Sequence, residues 1–121
     1  METKENSTFY IEELEKPFEE CKAGTNYTVH YAYTKSKVRG QSLIDFNELI
    51  WEKYVGEIID ALKSYGIKEF TISCRSTNLI DCLAVFEKFN CKMNGITEVR
   101  TGWKRMDGSQ ETTPALKMEI L

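Results

Sequence analysis

Between Glu69 and Asn90 the chain carries a short apolar strand, a polar corner and a short helix in immediate succession, and this unit decides what everything else must pack against. Phe70, Ile72 and Cys74 alternate with Thr71 and Ser73, the period of two that sends successive side chains to opposite faces of a sheet. The spacing predicts a strand with one apolar face. At the corner, Ser76, Thr77 and Asn78 follow Arg75 and offer side-chain oxygens to the free N–H groups of a helix start. Leu79, Cys82, Leu83, Phe86 and Phe89 then recur at helical spacing, and Asn90 suits the left-handed turn that closes such a helix.

Upstream, Asp45 followed by Glu48 reads as a capping box opening the longest helix, from Phe46 to about Tyr65, with Trp51, Val55, Ile58 and Leu62 along one stripe and Gly66 as the stop. Residues 26–34 set Tyr27, Val29, Tyr31 and Tyr33 against Thr28, His30, Ala32 and Thr34, which predicts a strand. The following Lys35-Ser-Lys-Val-Arg-Gly-Gln-Ser run turns and returns as a short second strand through about Leu43. From Thr8, the spacing of Ile11, Leu14, Phe18 and Cys21 predicts a helix to about Lys22, ended by Gly24. Pro17 removes a backbone donor, so a kink or a break into two short helices is expected there, with a strand over Phe9 to Glu12 as the alternative. Residues 1–7 show no apolar period and read as a loose end.

Downstream, Cys91-Lys-Met-Asn-Gly reads as a turn. A strand from about Ile96 to Met106, a turn at Asp107-Gly108 and a return over Ala115 to Leu121 form an antiparallel hairpin. Strands separated by helices pair in parallel, whereas a terminal hairpin is antiparallel. The expected fold is therefore α+β: an α/β two-layer sandwich with a mixed four- to five-stranded sheet, two core helices, an N-terminal helix and a C-terminal β-hairpin.

A chain of 121 residues with 41% hydrophobic residues suits one domain with a single core, spanning residues 1–121. Its polar start lacks the apolar core of a signal peptide and no apolar run approaches the ~20 residues of a membrane span, so a cytoplasmic location is expected. Cys21, Cys74, Cys82 and Cys91 form no CxxC pair, and free thiols are expected. One histidine and no acidic calcium loop leave metal binding without support, and no cofactor is expected.

His30 and Cys74 are the residues a nucleophilic pair would use, yet Cys74 continues an apolar strand face and His30 reads as a partly exposed strand residue. At the corner, Arg75 and the helix start suit a phosphate, although the glycines of a phosphate loop are missing. Glu12 and Glu19 belong to an acidic helix face suited to a basic partner. Arg100, Lys104, Arg105 and Trp103 on the hairpin combine with Lys35, Lys37 and Arg39 into a basic-aromatic surface if the two edges lie on one side of the sheet, which would suit RNA backbone with a stacked base; a charged hairpin with Trp103 in the core is the plainer reading. The net charge of −3 opposes affinity for nucleic acid over the whole surface and leaves only a local patch.

The run Phe70-Thr-Ile-Ser-Cys through Leu79-Ile-Asp-Cys-Leu-Ala-Val-Phe-Glu, with Cys91-Lys-Met-Asn-Gly-Ile-Thr-Glu-Val and Pro114-Ala-Leu-Lys-Met-Glu-Ile, resembles a family of small proteins carried on bacterial plasmids, phages and integrative elements. The match covers about the last half of the chain and consists of packing patterns. Some mobile-element proteins of this size and layout are anti-CRISPR proteins that bind Cas9 or interfere with its guide RNA. The resemblance implies such a role here and carries over no functional residue. Three functions follow: a non-enzymatic, stoichiometric inhibitor that binds Cas9 or Cas9 with guide RNA; a small RNA- or DNA-binding accessory protein using the basic hairpins; and an enzyme acting on a phosphate-bearing ligand at Arg75. An exposed strand edge would be a natural dimer contact.

Overall fold

The computed structural model describes residues 10–121. The loose end at 1–7, the helix start at Thr8 and the alternative strand start at Phe9 lie outside the described residues.

The expected unit at 69–90 is present. Strand β2, Glu69–Ile72, leads through the corner into helix α3, Leu79–Lys88, and Asn90 takes the left-handed conformation with φ 63°. Phe70 and Ile72 face the core, and Phe70 packs 5.5 Å edge-on from Phe46 and 5.7 Å from Phe86. Ile58, Ile59 and Leu62 of helix α2, Val55–Ser64, complete this layer together with Cys82 of α3. Each such large apolar side chain gains about 1.5–3 kcal/mol on burial, which makes this layer the main source of stability.

Among the described residues four strands form one mixed sheet, ordered Asp45–Phe46 (β1), β2, Gln110–Ile120 (β4) and Cys91–Lys104 (β3). Strand β1 runs parallel to β2, while β4 pairs antiparallel with both β2 and β3. The fold is thus α+β, with the C-terminal hairpin as expected.

Several local expectations are overturned. Residues 26–34 are no strand but the first part of helix α1, Tyr27–Arg39. Asn26 Oδ1 accepts from Val29 N at 2.9 Å as its N-cap, and Gly40 closes it at φ 73°, so no short strand returns through Leu43. Val29, Ala32, Tyr33 and Ser36 form its buried stripe, at helical spacing.

Of the long helix expected from Phe46, only the second half forms, over Val55–Ser64 with Gly66 beyond its end. Asp45 and Phe46 pair with Thr71 and Ile72 as β1, a loop follows, and Glu52–Tyr54 make one 3-10 turn before α2 begins at Val55. Asp45 cannot cap a helix because its buried carboxylate accepts from Thr71 Oγ1 and Ser73 Oγ, both at 2.6 Å. Trp51, expected on the apolar stripe, is exposed. In place of an N-terminal helix, two 3-10 turns, Glu12–Glu15 and Phe18–Glu20, flank Pro17, which makes the expected break.

The turn expected at Cys91–Gly95 is already strand: β3 starts at Cys91, and the register with β4 shifts between Met93 and Ile96, around Gly95 at φ 98°. Strand β2 carries the expected apolar face through Phe70 and Ile72, with polar Thr71 on the other face. Thr71 is buried because the segment 40–43, running from α1 to β1, covers the second face of the sheet beside Thr71, Thr97, Val99 and Lys117.

Candidate functional site

That crossing segment brings the end of α1 to the hairpin. Gln41 Nε2 donates to Arg100 O at 2.7 Å, and Arg100 N donates back to Gln41 Oε1 at 3.0 Å. A side-chain amide here makes the two bonds that a neighbouring strand would make to the open edge of β3. One residue further along, the register of β3 shifts again between Arg100 and Lys104, with Gly102 at φ 95°. This bulge re-aims the strand, and Trp103 stands 73% exposed instead of entering the core.

Two adjoining hollows result. One of about 330 Å³ is lined by Arg39, Arg75 and Arg100 with Ser73, Thr113 and Trp103. The other, of about 260 Å³, lies between Lys35, Val38 and Arg39 on α1 and Thr101, Gly102 and Trp103 on β3. Contact between the two elements is close: a Cβ placed on Gly102 would lie 3.0 Å from Arg39 Nε. Arg75 is fixed by neutral groups, its Nη2 donating to Thr113 Oγ1 at 2.9 Å and to Pro114 O at 3.0 Å. Among the described residues no carboxylate lies within 4.0 Å of Arg39, Arg75 or Arg100. The positive charge here is therefore positioned without being neutralised, which is the condition for holding an anion from outside.

The structure thus brings together Lys35, Arg39, Arg75, Arg100 and Trp103 from the sequence reading. Lys104 and Arg105 extend beyond them, exposed toward the hairpin turn, where Arg105 N donates to Ser109 O at 2.7 Å. Lys37 turns the other way, 3.9 Å from Glu15 and 5.7 Å over the Tyr33 ring. Glu12 and Glu19 are exposed on the separate 3-10 turns and form no continuous helix face. Their acidic neighbours serve the fold: Glu13 accepts from Lys22 N at 3.2 Å, which draws its carboxyl below the usual range, and Glu15 accepts from the Tyr33 hydroxyl. Burial first, and that bond second, raise the Tyr33 phenol well above its ordinary value.

The corner at 75–78 is built differently from expectation. Asn78 makes no side-chain cap; its Nδ2 donates to Ile50 O at 3.0 Å and its Oδ1 accepts from Ser76. His30 is buried on α1, not partly exposed on a strand, and its Nε2 donates to Lys16 O at 2.6 Å, so it makes no pair with Cys74. All four cysteines are free; burial pushes the Cys91 thiol up to about 11 and raises that of Cys82. Among the described residues no three His, Cys, Asp or Glu side chains gather as a metal site, and no helix is long and apolar enough to cross a membrane.

Sequence reasoning missed Val38, Gly102 and Gln41. The i, i+3, i+4 spacing of Lys35, Val38 and Arg39 would have placed them on one face, had 27–39 been read as helical.

Fold and site together define a mixed α+β domain with a cationic, aromatic-edged hollow between one helix and a bulged hairpin. Residues 28–120 match the family model of a domain of unknown function, DUF7698, and the chain belongs to that family. No curated protein and no solved structure matches it. The matched span runs through α1 to β4, so it includes every residue of the basic-aromatic face and leaves out Glu12 and Glu19.

Proposed function

We propose that the protein is a non-enzymatic binder acting in the cytoplasm, and that its basic-aromatic face captures RNA. In the mobile-element setting that the resemblance implies, that RNA is the guide of a Cas9-type effector. The protein then works as a stoichiometric anti-CRISPR inhibitor that blocks assembly of Cas9 with its guide RNA. One observation carries the reading: Arg39, Arg75 and Arg100, from three separate parts of the chain, line a single hollow beside exposed Trp103 with no described carboxylate within 4.0 Å. Guanidinium groups match phosphate geometry, and an exposed indole offers a base a stacking surface.

Mimicry of nucleic-acid phosphates by Glu12 and Glu19 is the weaker form of the inhibitor reading, because Glu13 and Glu15 beside them are already engaged within the chain. The test is capture with Cas9 offered empty, Cas9 already loaded with guide, and free guide RNA. Retention of free guide RNA and loss of Cas9 loading at equimolar protein are expected. Retention of empty Cas9 with no affinity for RNA would overturn the RNA reading.

A further inference from the structure

We infer, on the basis of that reading, that the face accepts an unpaired nucleotide step, with phosphate in the arginine-lined hollow and base on Trp103, and that it rejects duplex. The two hollows share Arg39, Thr101 and Trp103, so the indole forms the ridge between a cationic compartment and one floored by exposed Val38. Trp103 stacks on no other ring among the described residues, leaving its faces for a ligand. A chain whose phosphate sits among Arg39, Arg75 and Arg100 carries its base toward that ridge. Only an unstacked base can lie against it, and in a duplex each base is already stacked and paired, so opening it adds a cost. Lys35 lines the second hollow together with Val38 and supplies the cation for the next phosphate of the strand. An acidic protein segment would satisfy the arginines but leave the indole unused.

The experiment uses the full chain with Trp51→Phe, so that Trp103 is the only fluorophore of its kind. Its emission is followed, with affinity read separately by isothermal titration calorimetry, against a short single-stranded RNA, the same sequence as duplex RNA, inorganic polyphosphate as a base-free polyanion, and polyglutamate. Single-stranded RNA is expected to quench Trp103 and to bind roughly tenfold or more tighter than the duplex, while polyphosphate binds without quenching. Trp103→Ala is expected to weaken single-stranded RNA about tenfold and leave polyphosphate unchanged. Arg39→Ala combined with Arg100→Ala weakens both. Equal affinity for single strand and duplex, or binding of RNA without quenching, overturns the unpaired-step inference while leaving RNA capture intact. Binding of polyglutamate in preference to every nucleic acid, or of none of the ligands, overturns RNA capture itself.

Discussion

The side-chain amide of Gln41 and the backbone of Arg100 are bonded in both directions, Nε2 to O at 2.7 Å and N to Oε1 at 3.0 Å, across 59 residues of sequence. This pair ties the end of α1 to the outer edge of β3 and so sets the distance between Arg39 and the hairpin. Gln41→Ala removes both bonds at an exposed site and is expected to cost about 1–2 kcal/mol of stability in urea denaturation. Faster hydrogen exchange at the Arg100 amide, confined to that neighbourhood, is the accompanying signature. Unchanged exchange there would show that the amide does not hold the edge.

Gly40, at φ 73°, lies where an added Cβ would come 2.6 Å from Arg100 Nη1, and its backbone favours glycine in any case. Gly40→Ala is expected to destabilise by about 1–2 kcal/mol from the left-handed conformation alone. The displaced Arg100 guanidinium should also weaken RNA binding, a loss that Gly24→Ala, facing open space at φ 91°, would not produce although it carries similar strain. Melting temperature and RNA affinity measured on both variants separate the two effects.

Asp45 offers a choice between a helix cap and a buried polar anchor. Asp45→Ser would preserve a cap, yet it removes the carboxylate that accepts from Thr71 and Ser73 and leaves one buried and one half-buried hydroxyl to find other partners. A loss of about 2–3 kcal/mol is expected, against a few tenths for an exchange of good capping residues. Chemical denaturation of this one variant decides between them.

Glu13 makes stability depend on pH in a definite direction. Its folded carboxyl is held below the ordinary range, first by the Lys22 N–H bond and then by nearby Lys16 and Lys22. The ionised form is the one favoured by folding. Its contribution is therefore complete above the unfolded carboxylate value and is lost as pH falls through the lower folded value. Glu13→Gln is expected to be less stable than the parent at neutral pH and equal to it in acid. Urea midpoints across a pH series read the difference directly, and a gap that persists in acid would contradict this account.

Thiol labelling tests the core. Cys74, Cys82 and Cys91 are buried while Cys21 is partly exposed, so mass spectrometry after brief alkylation of the native protein should find Cys21 modified first and the others only on unfolding. Early labelling of Cys91, whose thiol is pushed up to about 11, would contradict its placement.

Much of the fold was legible where local pattern and burial coincide. Phe70, Ile72, Cys82 and Phe86 carry their periods openly, and the final hairpin announces itself through Asp107-Gly108. Residues 26–34 misled because Tyr27 and Tyr31, typical strand residues that alternate with Val29 and Tyr33, sit on the outer side of a helix. The better signal was the pair of ends, Asn26 and Gly40. Asp45 misled because the hydroxyls that claim it are 26 and 28 residues away, beyond any local pattern. The basic-aromatic face was readable as a set of residue types. Its meeting point was not, since it depends on Gln41 reaching Arg100 and on the bulge that turns Trp103 out.

The most direct test of the central claim is the salt dependence of RNA binding, compared between the parent protein and the Arg39→Ala/Arg100→Ala pair. Capture of phosphate by this face requires affinity for single-stranded RNA that falls steeply with salt, with the slope reduced by about 0.7 for each arginine removed. A slope unchanged by the double substitution, or no salt dependence at all, would show that the hollow beside Trp103 is not where this protein works.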